Sequence, residues 1–486
     1  MDQKNSWAAH DFSQEFRETA VVVDLPDAPR FGSVVGPGII LLATALGSGE
    51  ILFWPSLAAS HGFELYVLAL FAFLCQYFLN LEFIRYTMAT GDTVTNGFGR
   101  IWGGLSAFFF IGATLPWVWP GWVTGGATQL YELANVDINQ ASVIILVSIG
   151  VMLSSTRLLY KALELSQKLL IGFALSFSVI LGLLLIEASA VDALGDSIFG
   201  GKVGIPQDIS IVVLMAALAF CGAGGTINLA VSNWARDKGF GLAKNAPAIV
   251  NPITGQRQVS RSSIYLYAPT DDNHARWREW WRLVKKEETV CFLAAGIFGL
   301  TLFMLIAYSL LADTSLPPGF DVIREQANAI SESHGRFWVL AFRSVVAAVF
   351  ITSAIGVLDH SARLAASILF STKYFSKVPA ITESHLYFGL LWLLIAFGIF
   401  VVTVLDISSP PKLLSISGAL SGIVMAAYSG LIILLNRRMR LVYSELGFQE
   451  PADNPFRIST VRALFLFGAV ALYGSASIAL MYSLFQ

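Results

Sequence analysis

The residues best suited to chemistry lie in two glycine-rich interruptions of apolar runs. The first, Ala45-Leu46-Gly47-Ser48-Gly49-Glu50, sits inside the apolar stretch from Gly36 to Gly62. Gly costs about 1 kcal/mol relative to Ala in a helix interior, and a carboxylate at mid-membrane costs roughly 2.5–3.5 kcal/mol or more. An unwound break accounts for both, because irregular backbone is tolerated at membrane depth where protein or a watery cavity covers it. Freed carbonyls, half-helix ends, the Thr44 and Ser48 hydroxyls and Glu50 then make an oxygen-rich half-site. The second interruption, Cys221-Gly222-Ala223-Gly224-Gly225-Thr226-Ile227-Asn228, offers Thr226 and Asn228 in the same way.

Glu50 has three readings. It is a cation ligand or coupling-proton carrier, an acceptor for exposed N–H groups of a half-helix, or a surface residue of a shifted span with Trp54 at the interface. Glu82 precedes Arg85 by three residues, the spacing of a local pair on one helix face or of a gate. Asp359-His360-Ser361-Ala362-Arg363 is expected to end the eighth apolar run, either as a helix-end network or with a histidine that titrates near neutral pH. Arg343 lies inside that run, where snorkelling and a functional role both fit. Trp117, Trp119 and Trp122 alternate with Pro116, Pro120 and Gly121, so the third run is kinked or broken. Its rings form an aromatic belt, or an aromatic wall suited to an organic cation through cation–π contact.

These residues are carried by membrane-spanning elements. Only 13% of the 486 residues are charged and 55% are hydrophobic, with a mean hydropathy of +0.66; soluble domains carry about 25% charged residues. The chain is therefore expected to be an all-α polytopic membrane protein, and soluble-enzyme and nucleic-acid-binding readings fall away. Apolar runs of about 20 residues occur at 36–59, 63–88, 104–128, 140–155, 166–187, 209–231, 290–312, 337–358, 386–405, 412–435 and 461–485. Cys75, Cys221 and Cys291 have no paired spacing and make neither a disulfide framework nor a zinc site.

With the N-terminus inside, the cytoplasmic segments hold nearly all Lys and Arg, and the outer ones hold Lys202, Arg324, Arg336 and Lys412. This asymmetry puts the tail 1–35 in the cytoplasm and Gln486 outside, in an inner or plasma membrane. The tail lacks the apolar region of a cleavable signal, so the first span is expected to act as a signal-anchor. In the cytoplasmic loop 233–289, the stretch ARWREWWRLVKKEE interleaves bases with Trp277, Trp280 and Trp281. It is expected to lie at the headgroup interface or to meet a regulatory partner.

The two interruptions fall in the first and sixth runs, which stand five places apart, an odd offset. Corresponding elements then have opposite orientation, as in five-plus-five inverted repeats with a discontinuous first helix in each. The first repeat is expected at 36–187, the second at 209–435 and an added span at 461–486.

Gly36-Pro37-Gly38, Thr90-Gly91-Asp92 and Gly356-Val357-Leu358-Asp359, with the number and spacing of spans, resemble the Nramp family (natural resistance-associated macrophage proteins). The resemblance covers most of the chain. It implies a leucine-transporter-like fold of about eleven helices, with helices 1 and 6 broken at mid-membrane, and divalent-metal transport. The metal motifs depart. Where the family has Asp-Pro-Gly-Asn, this chain has Gly47-Ser48-Gly49-Glu50; where it has Met-Pro-His-Asn, this chain has Gly225-Thr226-Ile227-Asn228. Gly418, flanked by Ser417 and Ser421, stands for a glutamine of span ten. Asn228 carries over as a ligand, and Glu50 in altered form.

Loss of the thioether removes selectivity for soft transition metals, and two new glycines imply a larger cavity. A hydrated hard cation fits such a site, since Mg2+ keeps several waters. Mg2+ or Mn2+ carried by alternating access is the favoured substrate, and a small organic solute or organic cation is the alternative. A sensor or receptor that kept the fold is the third reading. The family's acidic route in helix three is missing, since no Asp or Glu lies between Arg100 and Tyr131. No Gly-x-x-x-x-Gly-Lys-Ser/Thr loop, Ser/His/Asp set or His-Glu-x-x-His motif occurs, so neither ATP-driven transport nor an enzyme is expected. No cofactor is expected. The expected partners are the solute or cation and the lipid bilayer.

Overall fold

The computed structural model describes residues 19–47, 49–155, 159–201, 204–250, 264–314, 316, 319–372, 374–375, 378, 381–405, 411–448 and 454–483. Among these, eight helical segments are long and apolar enough to cross a membrane. The remaining expected spans are present as shorter or interrupted helices, and each interruption has a cause in the residues.

Span 1 (Pro37–His61) starts with Pro37 in its first turn, where a missing N–H costs nothing. It stops being α-helical after Ala45 and resumes through a π-helical turn at Gly49–Phe53 into Trp54–His61. Span 2 (Tyr66–Thr90) is continuous and ends on Gly91, whose φ of 70° suits the residue after a helix end. Span 3 is two helices, Gly104–Thr114 and Gly121–Ala134, separated by the predicted Pro116–Pro120 break. Span 4 (Ile138–Ser154) is capped by Asp137, whose side chain accepts from the Gln140 backbone at 3.0 Å. Span 5 is Leu159–Leu185.

Span 6 is again two helices, Ile211–Ala219 and Gly225–Lys238; the second runs past the expected end at 231. Span 7 (Ala295–Leu311) continues, through a π-helical turn, the loop helix Asp271–Glu288. Span 8 (Arg336–Ser371) is longer than expected. Asp359 and His360 therefore lie within a continuous helix and not at its end. Spans 9 (Glu383–Thr403), 10 (Pro411–Glu445) and 11 (Thr460–Ser483) complete the set. Span 8 is central, packed on both helices of span 3, the first half of span 1, span 5 and span 9.

The tryptophan-rich helix packs two of its three indoles into the protein and leaves Trp281 partly exposed. Trp277 and Trp280 are buried in the protein. Trp277 stacks on Tyr267, and Trp280 packs on Phe240 while its indole donates to the Pro26 carbonyl at 2.8 Å. Beside it, strand β1 (Ala20–Val22) pairs in parallel with β2 (Ile264–Leu266). Asn273 accepts from the Leu25 backbone at 2.9 Å, and Arg276 pairs with Asp27 at 2.7 Å. The two indoles are drawn inward because Tyr267 and Phe240 offer apolar surface and Pro26 offers a carbonyl.

Candidate functional site

The two breaks meet. Glu50 is fully buried in the π-helical turn, and its Oε1 accepts the Gly222 backbone hydrogen at 3.2 Å. Its Oε2 finds no partner among the described residues. Trp54, one turn on, is also buried and donates to the Ala217 carbonyl at 3.1 Å. The surface reading of Glu50 is thereby excluded. In span 6 the chain turns through Gly222 (φ 99°) and Gly225 (φ 50°), conformations that L side chains rarely adopt.

Asn228 follows at the start of the second half-helix. Its Nδ2 donates to Gln76 Oε1 at 3.2 Å, and its Oδ1 is buried without a partner among the described residues. Thr226 Oγ1 lies 3.2 Å from the Gly112 carbonyl and 3.3 Å from His360 Nε2. Thr44 is not brought to this meeting point with a free hydroxyl. It donates back to the Ile40 carbonyl at 2.7 Å and packs against Gly356. Ser48 lies outside the described residues.

The expected enlargement at the two glycines is not observed, because neighbours fill the space. The Gly47 amide donates to Ser353 Oγ at 2.9 Å, and a Cβ on Gly47 would meet that serine and come within 3.2 Å of the Trp122 ring. A Cβ on Gly225 would lie 2.7 Å from Ser421 Cβ and 2.9 Å from Trp117. Trp117 and Trp122, both buried, stack with centroids 5.5 Å apart. Trp117 also packs edge-on against His360 at 4.8 Å. Trp119 sits apart from this pair on Phe397, although all three indoles border one apolar cleft between spans 3, 4, 8 and 9. Charge is sparse here. Among the described residues no group of three or more His, Cys, Asp or Glu side chains is placed to hold a metal ion.

Of the expected gate residues, Glu82, Arg85 and Asp359 belong to two buried ionic networks, whereas His360 meets Thr226 and Trp117. Asp359 accepts from Arg363 at 2.8 and 2.9 Å, from Trp234 at 2.8 Å and from Tyr387 at 2.9 Å. Arg363 also pairs with Asp237, and the neighbouring Arg236 pairs with Glu383 at 2.7 Å. Spans 6, 8 and 9 are joined in this way. Glu82 pairs with Arg85 as the spacing predicted, but it also accepts from Asn436 at 2.8 Å and Arg462 at 3.0 Å. Arg85 donates to the Arg457 carbonyl at 2.8 Å. That pair therefore ties span 2 to spans 10 and 11. Arg343 pairs with Glu132 at 3.2 Å.

Sequence reasoning missed Gln76. It is fully buried on span 2 and bonds to both sides of the span-6 break. A glutamine in the middle of a long apolar helix was the available signal.

The sequence matches no protein-family model and no curated protein. Among solved structures, the chain is similar to a manganese transporter from Eremococcus coleocola. The identity is 13% and the TM-score 0.58, over 96% of this chain and 97% of that one. The same transporter has been solved with an aromatic bis-isothiourea substituted compound. The chain is also similar to MHP1, a nucleobase-cation-symport-1 family transporter in a closed conformation with bromovinylhydantoin bound. There the identity is 15% and the TM-score 0.51, over 94% of this chain and 95% of that one.

The fold is leucine-transporter-like. Spans 1 and 6 are its broken helices, and the chain is a multi-span integral membrane protein. In this fold the paired breaks place half-helix ends and unwound backbone around a common point; here that point is bounded by Glu50, Gly222, Gln76 and Asn228.

Proposed function

We propose that the chain is a secondary carrier that moves a hard divalent cation, Mg2+ or Mn2+, by alternating access around the meeting point of the two breaks. One observation carries this reading. Two buried oxygens, Glu50 Oε2 and Asn228 Oδ1, stand on opposite breaks without hydrogen-bond partners among the described residues. A buried polar atom left unpaired costs about 1–3 kcal/mol, and a cation relieves that cost at both atoms together. One carboxylate and one amide oxygen are hard oxygen ligands of the kind Mg2+ takes. The inverted repeats are assigned to 36–187 and 209–435, with the N-terminus inside and the C-terminus outside. The manganese transporter of the same fold is consistent with a cation as cargo.

The test is uptake of Mg2+ and Mn2+ into liposomes holding the purified chain, with Glu50→Gln beside the wild type. Flux in the wild type and its loss in the variant support the reading; equal flux in both would remove Glu50 from the cation path.

The stacked Trp117 and Trp122 favour a second reading, an organic solute or organic cation seated on the indole faces. Inhibition of uptake by amines or amino acids, in place of competition by divalent metals, distinguishes it.

A further inference from the structure

Gln76 makes more hydrogen bonds to the span-6 break than any other described side chain. Its Nε2 donates to the Cys221 carbonyl at 2.7 Å and the Ala219 carbonyl at 3.2 Å, and it lies 3.2 Å from the Tyr473 hydroxyl of span 11. Its Oε1 accepts from the Gly224 backbone at 3.1 Å and from Asn228 Nδ2 at 3.2 Å. Gln76 and all five of these partners are buried.

Two consequences follow from the chemistry of this amide. Carbonyls freed by an unwound helix are the natural oxygen ligands of a dehydrated cation, and here the carbonyls of Ala219 and Cys221 are already engaged. The Asn228 amide is also given a direction, since donation by Nδ2 to Gln76 leaves Oδ1 as the end without a partner. The site then presents few oxygens. Ca2+ takes six to eight oxygen ligands, whereas Mg2+ keeps much of its water and needs few from protein.

We propose that Gln76 is a positioning residue that sets cation specificity: it withholds the break carbonyls and turns the Asn228 oxygen toward the solute, favouring Mg2+ over Ca2+. The proposal rests on the cation reading above. It concerns the oxygen count of the site and not the presence of transport.

The experiment measures KM and kcat for Mg2+ and Ca2+ uptake by the full chain in liposomes with fluorescent reporters. Gln76→Met removes every bond of the amide at similar length. Gln76→Glu keeps an acceptor for Gly224 and Asn228 but loses the donors to Ala219 and Cys221. Both variants are expected to lower the Mg2+ over Ca2+ preference roughly tenfold or more, chiefly through KM. A variant that only loosens the helices would slow both ions alike. A preference within about twofold of wild type in either transporting variant overturns the role of Gln76 and leaves the carrier reading intact. If Gln76→Met does not yield monodisperse protein, Gln76→Glu decides alone. Absence of any divalent flux in the wild type would overturn the cation reading, and this proposal with it.

Discussion

The Glu50 carboxylate accepts the Gly222 backbone hydrogen at 3.2 Å, which makes the break of span 1 and the break of span 6 one hydrogen-bonded unit. A glutamine at position 50 retains an acceptor for Gly222 and replaces the other carboxylate oxygen, with its charge, by an NH2 group. Glu50→Gln is therefore expected to change unfolding stability by no more than about 1 kcal/mol while abolishing cation uptake. Paired thermal melts and liposome flux check this. A large loss of stability would instead make the charge structural.

Gly225→Met would restore a thioether in sequence but not in space. The backbone there has φ of 50°, and a Cβ meets Ser421 and Trp117. Overpacking costs about 1–3 kcal/mol, to which the strained backbone adds. Thermal unfolding in detergent should show a loss of about 2 kcal/mol or more; an unchanged melt would mean that the Trp117 ring yields freely.

Asp359→Asn leaves Arg363 with Asp237 as its acidic partner inside the protein. Removing one member of a buried pair costs about 3–5 kcal/mol where the other charge is left alone; with Asp237 still facing Arg363 the expected loss is about 1–3 kcal/mol, that of the charged hydrogen bonds removed. The same melts check it, and Arg236, whose partner Glu383 is untouched, should keep its ion pair. A loss below about 1 kcal/mol would mean that water reaches the network.

Trp280→Phe deletes one hydrogen bond, from the indole to the Pro26 carbonyl. The expected effect is local, about 1 kcal/mol, seen as faster hydrogen exchange in residues 24–27 with transport unchanged. Unaltered exchange would show that Arg276 and Asn273 hold that segment without it.

Much of the architecture was legible in the chain. Each apolar run became helical, whole or as two half-helices, because a backbone in lipid must satisfy its own hydrogen bonds. The prolines of span 3 and the glycines of spans 1 and 6 marked real interruptions. The end of span 8 was misplaced because Asp359, His360 and Arg363 read as an interfacial cluster. Asp359 and Arg363 are instead met by Trp234, Tyr387 and Asp237 from other spans, and His360 by Thr226. That Trp280 of the loop helix meets the Pro26 carbonyl and Arg276 meets Asp27 was not legible either, because those partners lie some 250 residues away in the chain.

At the site, the order of residues alone determined that two polar breaks exist and that Glu50 and Asn228 stand in them. Local propensity decides this, since glycine clusters and a carboxylate are costly in a lipid-facing helix wherever it packs. Only the tertiary structure decided that Gly47 and Gly225 face Ser353, Trp122, Ser421 and Trp117 rather than empty space, and that Gln76 closes on the break from span 2. Such contacts join residues far apart in the chain, and which of many buried polar groups meet is set by the packing of whole helices, not by any local pattern of residues.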